Sequence, residues 1–176
     1  MQLLEVSKTL YRKRLNIVII IFVSALLVLS LSLGSAMITL FGDLVIENSV
    51  GKMEVNNFRY NILGVILALL ACFAVLSQII AKPYFKEIYY VWQLKQLHNK
   101  IYRKVKKIKL AAKNDVDALI ILKFYYYSRR QVYLLDDNTL TIPELDKEIK
   151  QLDETIAKKN LTISLSQFNK SLLTSF

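Results

Sequence analysis

Two long apolar runs dominate the first half of the chain. No charged residue lies between Arg14 and Asp43, and none lies between Arg59 and Lys82. At a helical rise of about 1.5 Å per residue, residues 15–41 reach roughly 40 Å and residues 62–81 roughly 30 Å. A bilayer core is about 30 Å thick. The pattern predicts two transmembrane helices, because a chain of 176 residues cannot enclose two such helices in a soluble core.

A cleaved secretory signal is the competing interpretation of the first run. Residues 12–14 resemble the basic start of a signal peptide, and residues 34–36 resemble a small-residue cleavage site. The apolar run is much longer than the usual core of about 7–15 residues in a signal peptide. We therefore interpret it as an uncleaved anchor.

Small residues recur along one side of the second span, at Gly64, Ala68 and Cys72. Such stripes let helix backbones approach closely in lipid. Ser32 and Ala36 are the candidate packing positions on the first span. We favour a hairpin of the two helices within one chain, and association between copies stays open as the alternative.

The second span is followed by Pro83, which is expected to break the chain at the membrane surface because Lys82 before it is biased away from helix. Aromatic residues come next, and they predict an interfacial belt: Tyr84, Phe85, Tyr89 and Trp92. A helix should then continue to about Ala112. One side of it is apolar at helical spacing and the other is basic.

Three further helical segments are predicted. Asn114 is the expected N-cap of a helix over residues 116–135, the most buried of the set. Another helix should start near Thr141 or Ile142, with Thr141 and Glu144 at capping-box spacing. Ser164 is the candidate cap of a last short helix through Leu173. The predicted fold class is all-α: a two-helix transmembrane hairpin followed by a bundle of three to four cytoplasmic helices.

The net charge of +10 is unevenly distributed. Residues 1–14 carry +3 and residues 82–113 carry +9, whereas residues 43–60 and 114–176 carry −1 each. Cytoplasmic flanks of membrane spans are enriched in Lys and Arg. The pattern predicts a basic cytoplasmic segment over 1–14, a hairpin over 15–82 with its outer loop at 42–61, and a cytoplasmic domain over 83–176.

The basic residues beside the spans are candidate contacts for anionic lipid headgroups or for a protein partner. They are Arg12, Lys13, Arg14, Lys82, Lys86, Arg103, Lys104, Lys106 and Lys107. Whether the basic helix over 84–112 lies on the membrane or projects from it stays open. Binding to nucleic acid is disfavoured, because the membrane anchor already accounts for the charge and no groove-reading motif accompanies it.

No pattern in the chain indicates a catalytic residue, a cofactor site or a metal site. Cys72 is the only cysteine and is expected to be a small packing residue. His98 is the only histidine, and we interpret it as a surface side chain. Asp136 and Asp137 form a polar turn whose carboxylates lack the further ligands of a calcium loop.

Several stretches give the chain a resemblance to a family of uncharacterised bacterial two-span inner-membrane proteins. These are residues 11–16, 115–119, 125–127 and 135–140. The resemblance implies a bacterial inner-membrane location and no activity. The expected function is that of a non-enzymatic scaffold or interaction protein, whose partner is an unidentified protein or a second copy. A holin-like pore is the first alternative, and an enzyme of unknown type is the second.

Overall fold

The structure, a computed structural model, describes residues 3–42 and 57–176. Within these ranges it contains helices and turns and no β-strand, so the all-α prediction is confirmed for this part of the chain. Most of the predicted outer loop lies outside the described residues. The α-helices are α1 (Lys8–Phe41), α2 (Phe58–Ile79), α3 (Lys86–Ala111), α4 (Val116–Leu135) and α5 (Ile142–Lys158), with 3₁₀ helices at Pro83–Phe85, Leu165–Gln167 and Lys170–Ser175.

The chain divides into two compact units. The two-helix unit comprises Lys13–Lys86, and the bundle unit comprises Met1–Arg12 together with Glu87–Phe176. The described residues before Lys13 therefore group with the C-terminal half of the chain.

Both helices of the two-helix unit are long and apolar enough to cross a bilayer. Only 6% of the most apolar window of α1 and 17% of that of α2 is buried. The core helix of a soluble protein would be mostly buried, so these are not core helices. α1 begins at Lys8, so the helix includes the basic residues that precede the apolar run.

Gly64 of α2 lies directly against Gly34 of α1. A Cβ atom added to Gly64 would lie 2.5 Å from the backbone nitrogen of Gly34 and 2.7 Å from its Cα. Ala68 and Cys72 are buried on the same side of α2. On α1 the structure places Gly34 against this stripe, whereas Ser32 and Ala36 are exposed. The close contact needs a residue without a side chain, and neither Ser nor Ala meets that requirement at this distance.

The predicted break at Pro83 is confirmed. Lys82 is extended, with φ −69° and ψ 150°, and Pro83 opens a single 3₁₀ turn before α3 begins at Lys86. The pyrrolidine ring of proline excludes a continuous helix through this point.

α4 forms the centre of the bundle unit, as its apolar circumference predicts. Eleven of its residues are buried, including Phe124, Tyr125 and Tyr126. The predicted N-cap at Asn114 is wrong by one position: Asp115 is extended and its carboxylate accepts a hydrogen bond from the Asp117 amide at 2.8 Å. The connection between α3 and α4 comprises residues 112–115, because α3 ends at Ala111 and α4 begins at Val116.

α5 packs on α4 through Leu145, Leu152 and Ile156, which are buried members of the predicted seam. The predicted capping box at Thr141 is wrong, because Thr141 has helical dihedral angles and makes no side-chain cap. Ser164 precedes a single 3₁₀ turn, Leu165–Gln167, where its amide donates to the Gln167 side chain at 2.9 Å, and the predicted continuous helix through Leu173 is wrong because Phe168 is extended. The last segment ends in the 3₁₀ helix Lys170–Ser175.

Candidate functional site

The solvent-facing side of α3 carries a row of cations without matching acids. Two of its lysines are neutralised, since Lys95 pairs with Asp136 and Lys109 pairs with Glu148, each at 2.7 Å. In the described part of the chain no carboxylate pairs with the remaining exposed cations of α3, which are Lys86, Lys100, Arg103, Lys106 and Lys107. Uncompensated charge of one sign attracts ligands of the other.

An open groove of about 570 Å³ lies between α3 and the last 3₁₀ helix of the bundle unit. Leu97 and Leu173 are its buried apolar residues, 2% and 8% exposed. Lys104 closes one side, because its Nζ donates to the backbone carbonyl of Leu173 at 2.8 Å. The polar lining is completed by the neutral side chains of Gln93, Gln96 and Thr174.

Four cations and one tryptophan line this groove. Lys100, Arg103 and Lys104 come from α3, and Lys170 comes from the last 3₁₀ helix. The Trp92 ring is 52% exposed and stacks on Tyr89, with ring centroids 5.7 Å apart. Among the residues that the structure describes, no acid lines the groove. Its chemistry fits an anion with an apolar part.

The acidic turn after α4 holds the N-terminal segment onto the bundle unit. The Asp136 carboxylate accepts a hydrogen bond from the Tyr11 hydroxyl at 3.2 Å, and Asp137 pairs with both Lys8 and Arg12. Asp137 adopts a positive φ of 58°, which tightens the turn. The Asp136 and Asp137 carboxylates, which were considered as metal ligands from the sequence, therefore bind cationic side chains and the Tyr11 hydroxyl.

Two backbone contacts extend this attachment toward the start of the chain. The Leu4 amide donates to the Tyr90 hydroxyl at 2.9 Å, and the Gln131 side chain donates to the Leu4 carbonyl at 2.6 Å. Residues 4–12 are thus held at both ends by the helices of the bundle unit.

The interpretation of His98 as a surface side chain is wrong. Its Nε2 lies 2.7 Å from the Oγ of Ser128, which is fully buried, and its ring meets Tyr125 edge-on. Burial, followed by the positive charges of Arg129 and Lys95, lowers the pKa of His98 to about 4. The imidazole is therefore neutral at pH 7 and links α3 to α4. The Ser128 hydroxyl donates to the Tyr125 carbonyl at 3.2 Å and is closed to solvent, which does not suit a nucleophile.

The predicted basic contacts divide into several groups. Arg12 pairs with Asp137, and the Lys104 side chain donates to a backbone carbonyl in the groove. The Arg14 guanidinium lies over the Tyr84 ring at 5.1 Å within the two-helix unit. That unit also contains Lys13, Lys82 and Lys86. Arg103, Lys106 and Lys107 are exposed on α3.

The predicted interfacial aromatics are also divided. Tyr84 is 39% exposed, whereas Phe85, next to it, is buried at 8%. Tyr89 and Trp92 are exposed and stacked on the bundle unit. Sequence reasoning missed Lys100 and Lys170 as members of the groove. Lys100 was visible on the basic side of the helix, but no sequence signal brings Lys170 beside it.

Comparison with known proteins identifies a family without an assigned activity. A protein-family model described as "Protein of unknown function" matches residues 1–173. No curated protein matches the chain, and no solved structure matches it. The match confirms the predicted resemblance to a family of uncharacterised proteins. The description of the family does not mention membrane topology.

Proposed function

Because the chain belongs to the DUF3087 family of unknown function, we propose a role from its own residues: it is a non-enzymatic, membrane-anchored interaction protein. In this proposal α1 and α2 span a bacterial inner membrane. The bundle unit is presented at the cytoplasmic face, where it binds an acidic protein partner and anionic lipid.

The attachment of residues 4–12 to the bundle unit supports this topology. A segment that precedes the first span packs on the helices that follow the second span. Both flanks of the hairpin must then lie on the same side of the membrane. The excess of Lys and Arg in those flanks favours the cytoplasmic side.

Labelling of single cysteines should reveal this topology. In a Cys72→Ala background, we expect a membrane-impermeant maleimide added to bacterial spheroplasts to label Ser49→Cys, in the predicted outer loop. Ser7→Cys and Lys147→Cys, both exposed in the bundle unit, should be labelled only after permeabilisation. Labelling of either in sealed spheroplasts would contradict the cytoplasmic placement.

The observation that carries the interaction role is the exposed surface of the second half of α3. Tyr102 and Leu110 are 68% and 69% exposed, and both lie on the same side of the helix as Lys106. Lys107 adds a further unpaired cation there. Large apolar side chains beside uncompensated charge are typical of a docking surface, and the charge selects an acidic partner.

A charge-reversal experiment tests this surface. We expect Lys106→Glu with Lys107→Glu to lower partner capture from native membranes by about tenfold, because attraction becomes repulsion at the interface. Capture is measured by quantitative mass spectrometry after extraction into polymer nanodiscs. The matched control is Lys147→Glu with Lys158→Glu, two exposed lysines of α5.

Retention of the captured protein by the α5 control and its loss from the α3 variant would support the role. Equal capture by both variants would contradict the assigned surface. A homo-oligomer without any stoichiometric partner would contradict the interaction role itself.

A further inference from the structure

We propose that the groove between α3 and the last 3₁₀ helix binds the headgroup of one anionic phospholipid. The inference rests on the proposed membrane anchoring, because the anchor brings the groove to the lipid. It goes beyond general attraction to a charged surface, since it assigns one lipid to a defined set of side chains.

The cations are placed for a phosphate group. Lys100 and Arg103 are three residues apart and therefore lie on one side of α3. Lys170 approaches from the opposite wall, so an anion in the groove has positive charge on two sides. Arginine binds phosphate through parallel N–H···O hydrogen bonds, which adds geometric selectivity to the charge.

The apolar residues fit the rest of a phospholipid. Leu97 and Leu173 line the groove but are largely buried, and Trp92 is the lining apolar residue that leaves about half of its surface exposed. Free phosphate would use the cations and leave the exposed part of Trp92 uncovered. A glycerophospholipid has both parts, an anion and an apolar glycerol ester, and tryptophan is enriched where such molecules meet water.

The size and lining of the groove favour a lipid over other anions. A volume of about 570 Å³ is that of a small-molecule site. A nucleic acid would call for a longer basic track with aromatic stacking platforms, and only Trp92 supplies a ring inside the groove.

Native mass spectrometry of the full chain in a non-ionic detergent tests the site. Phosphatidylglycerol and phosphatidylcholine are added in equal amounts, and the retained lipid is counted. The key variant is Lys100→Gln with Arg103→Gln, and Lys170→Gln probes the opposite wall. The matched control is Lys147→Gln with Lys158→Gln, which removes the same charge from exposed positions of α5 outside the groove.

We expect wild-type protein to retain one phosphatidylglycerol in preference to phosphatidylcholine. A basic side chain near anionic lipid contributes roughly a fivefold factor in affinity, so the groove double variant should weaken retention by about 25-fold. Lys170→Gln should weaken it about fivefold, while the control stays within about twofold. Trp92 is the only tryptophan, so its emission reports occupancy independently.

Equal losses in the groove variant and in the α5 control would overturn the proposal, because they would indicate diffuse attraction. Unchanged retention in the groove variants would also overturn it. Glycerol 1-phosphate or inorganic phosphate shifting Trp92 emission as strongly as the lipid would assign a site for small anions instead. Circular dichroism confirms that each variant is folded. Lipid retention is measured without a protein partner, so failure here leaves the cysteine-labelling and capture results standing.

Discussion

Replacing Gly64 with leucine is expected to separate α1 from α2 and to destabilise the two-helix unit. Even the first side-chain carbon would lie 2.5 Å from the Gly34 nitrogen and 3.1 Å from the Ser30 carbonyl oxygen. These are backbone atoms of α1, so a rotamer change cannot relieve the clash. The helices must move apart, and the dispersion contacts that hold them together in lipid are lost along the whole stripe.

The cost should be at the upper end of overpacking, about 3 kcal/mol in the free energy of unfolding. It is measured by unfolding the protein in mixed micelles of a non-ionic detergent and SDS. Ala74→Leu is the matched control, because it adds a larger side chain at an exposed position of the same helix. Its effect should stay within about 0.5 kcal/mol.

Light scattering on the same samples separates the two interpretations of the small-residue stripe. If the stripe packs within one chain, Gly64→Leu lowers stability and leaves the molecular mass unchanged. A fall in mass with unchanged stability would show that the stripe joins copies instead. Equal stability of Gly64→Leu and Ala74→Leu would contradict the close contact at Gly34.

The helices of this protein could be read from local sequence because each is marked by its own residues. The apolar run after Arg14, the proline at Pro83 and the acids that open α4 each act within a turn or two of chain. The predicted range of α4, residues 116–135, is the observed one. The errors concern the helix caps. The N-cap of α4 is Asp115 and not the predicted Asn114.

Contacts between segments distant in the chain could not be read in this way. The sequence shows three small residues on one side of α2, but several small residues on α1 could oppose them, and only the crossing point selects Gly34. Asp136 and Asp137 are polar turn residues by composition. Their pairing with Lys8, Tyr11 and Arg12 depends on how the bundle unit folds.

The candidate groove illustrates the same limit. Its α3 wall is visible as a basic helical face, because Lys100 and Arg103 recur at helical spacing. Its second wall depends on the last 3₁₀ helix returning to α3, more than sixty residues later in the chain. The sequence does not predict that this segment packs on α3, since the segment is too short to carry an amphipathic pattern.

An aromatic pair, Phe168 and Phe124, holds the C-terminal segment against the rest of the bundle unit. Phe168→Ala should therefore destabilise the bundle unit and open the groove. Phe168 stacks on Phe124 with ring centroids 4.0 Å apart and planes 12° from parallel. The two rings are 2% and 0% exposed, so truncation leaves a cavity that the surrounding helices cannot easily fill. Such truncations cost about 3–5 kcal/mol of unfolding free energy.

Chemical denaturation followed by Trp92 fluorescence measures this loss, because the tryptophan belongs to the bundle unit. Tyr102→Ala is the control, since its ring is 68% exposed and its removal creates no cavity. A change of less than about 1 kcal/mol for Phe168→Ala would show that the stacked pair is not part of the core.

The same variant connects packing to ligand binding. Lys170 and Leu173 follow Phe168 directly and form one side of the groove. If the stack holds them in place, Phe168→Ala loses phosphatidylglycerol even though every cation is still present, under conditions in which circular dichroism shows α3 and α4 intact. Undiminished lipid retention would mean that α3 alone binds the headgroup, and the second wall would have no part in the site.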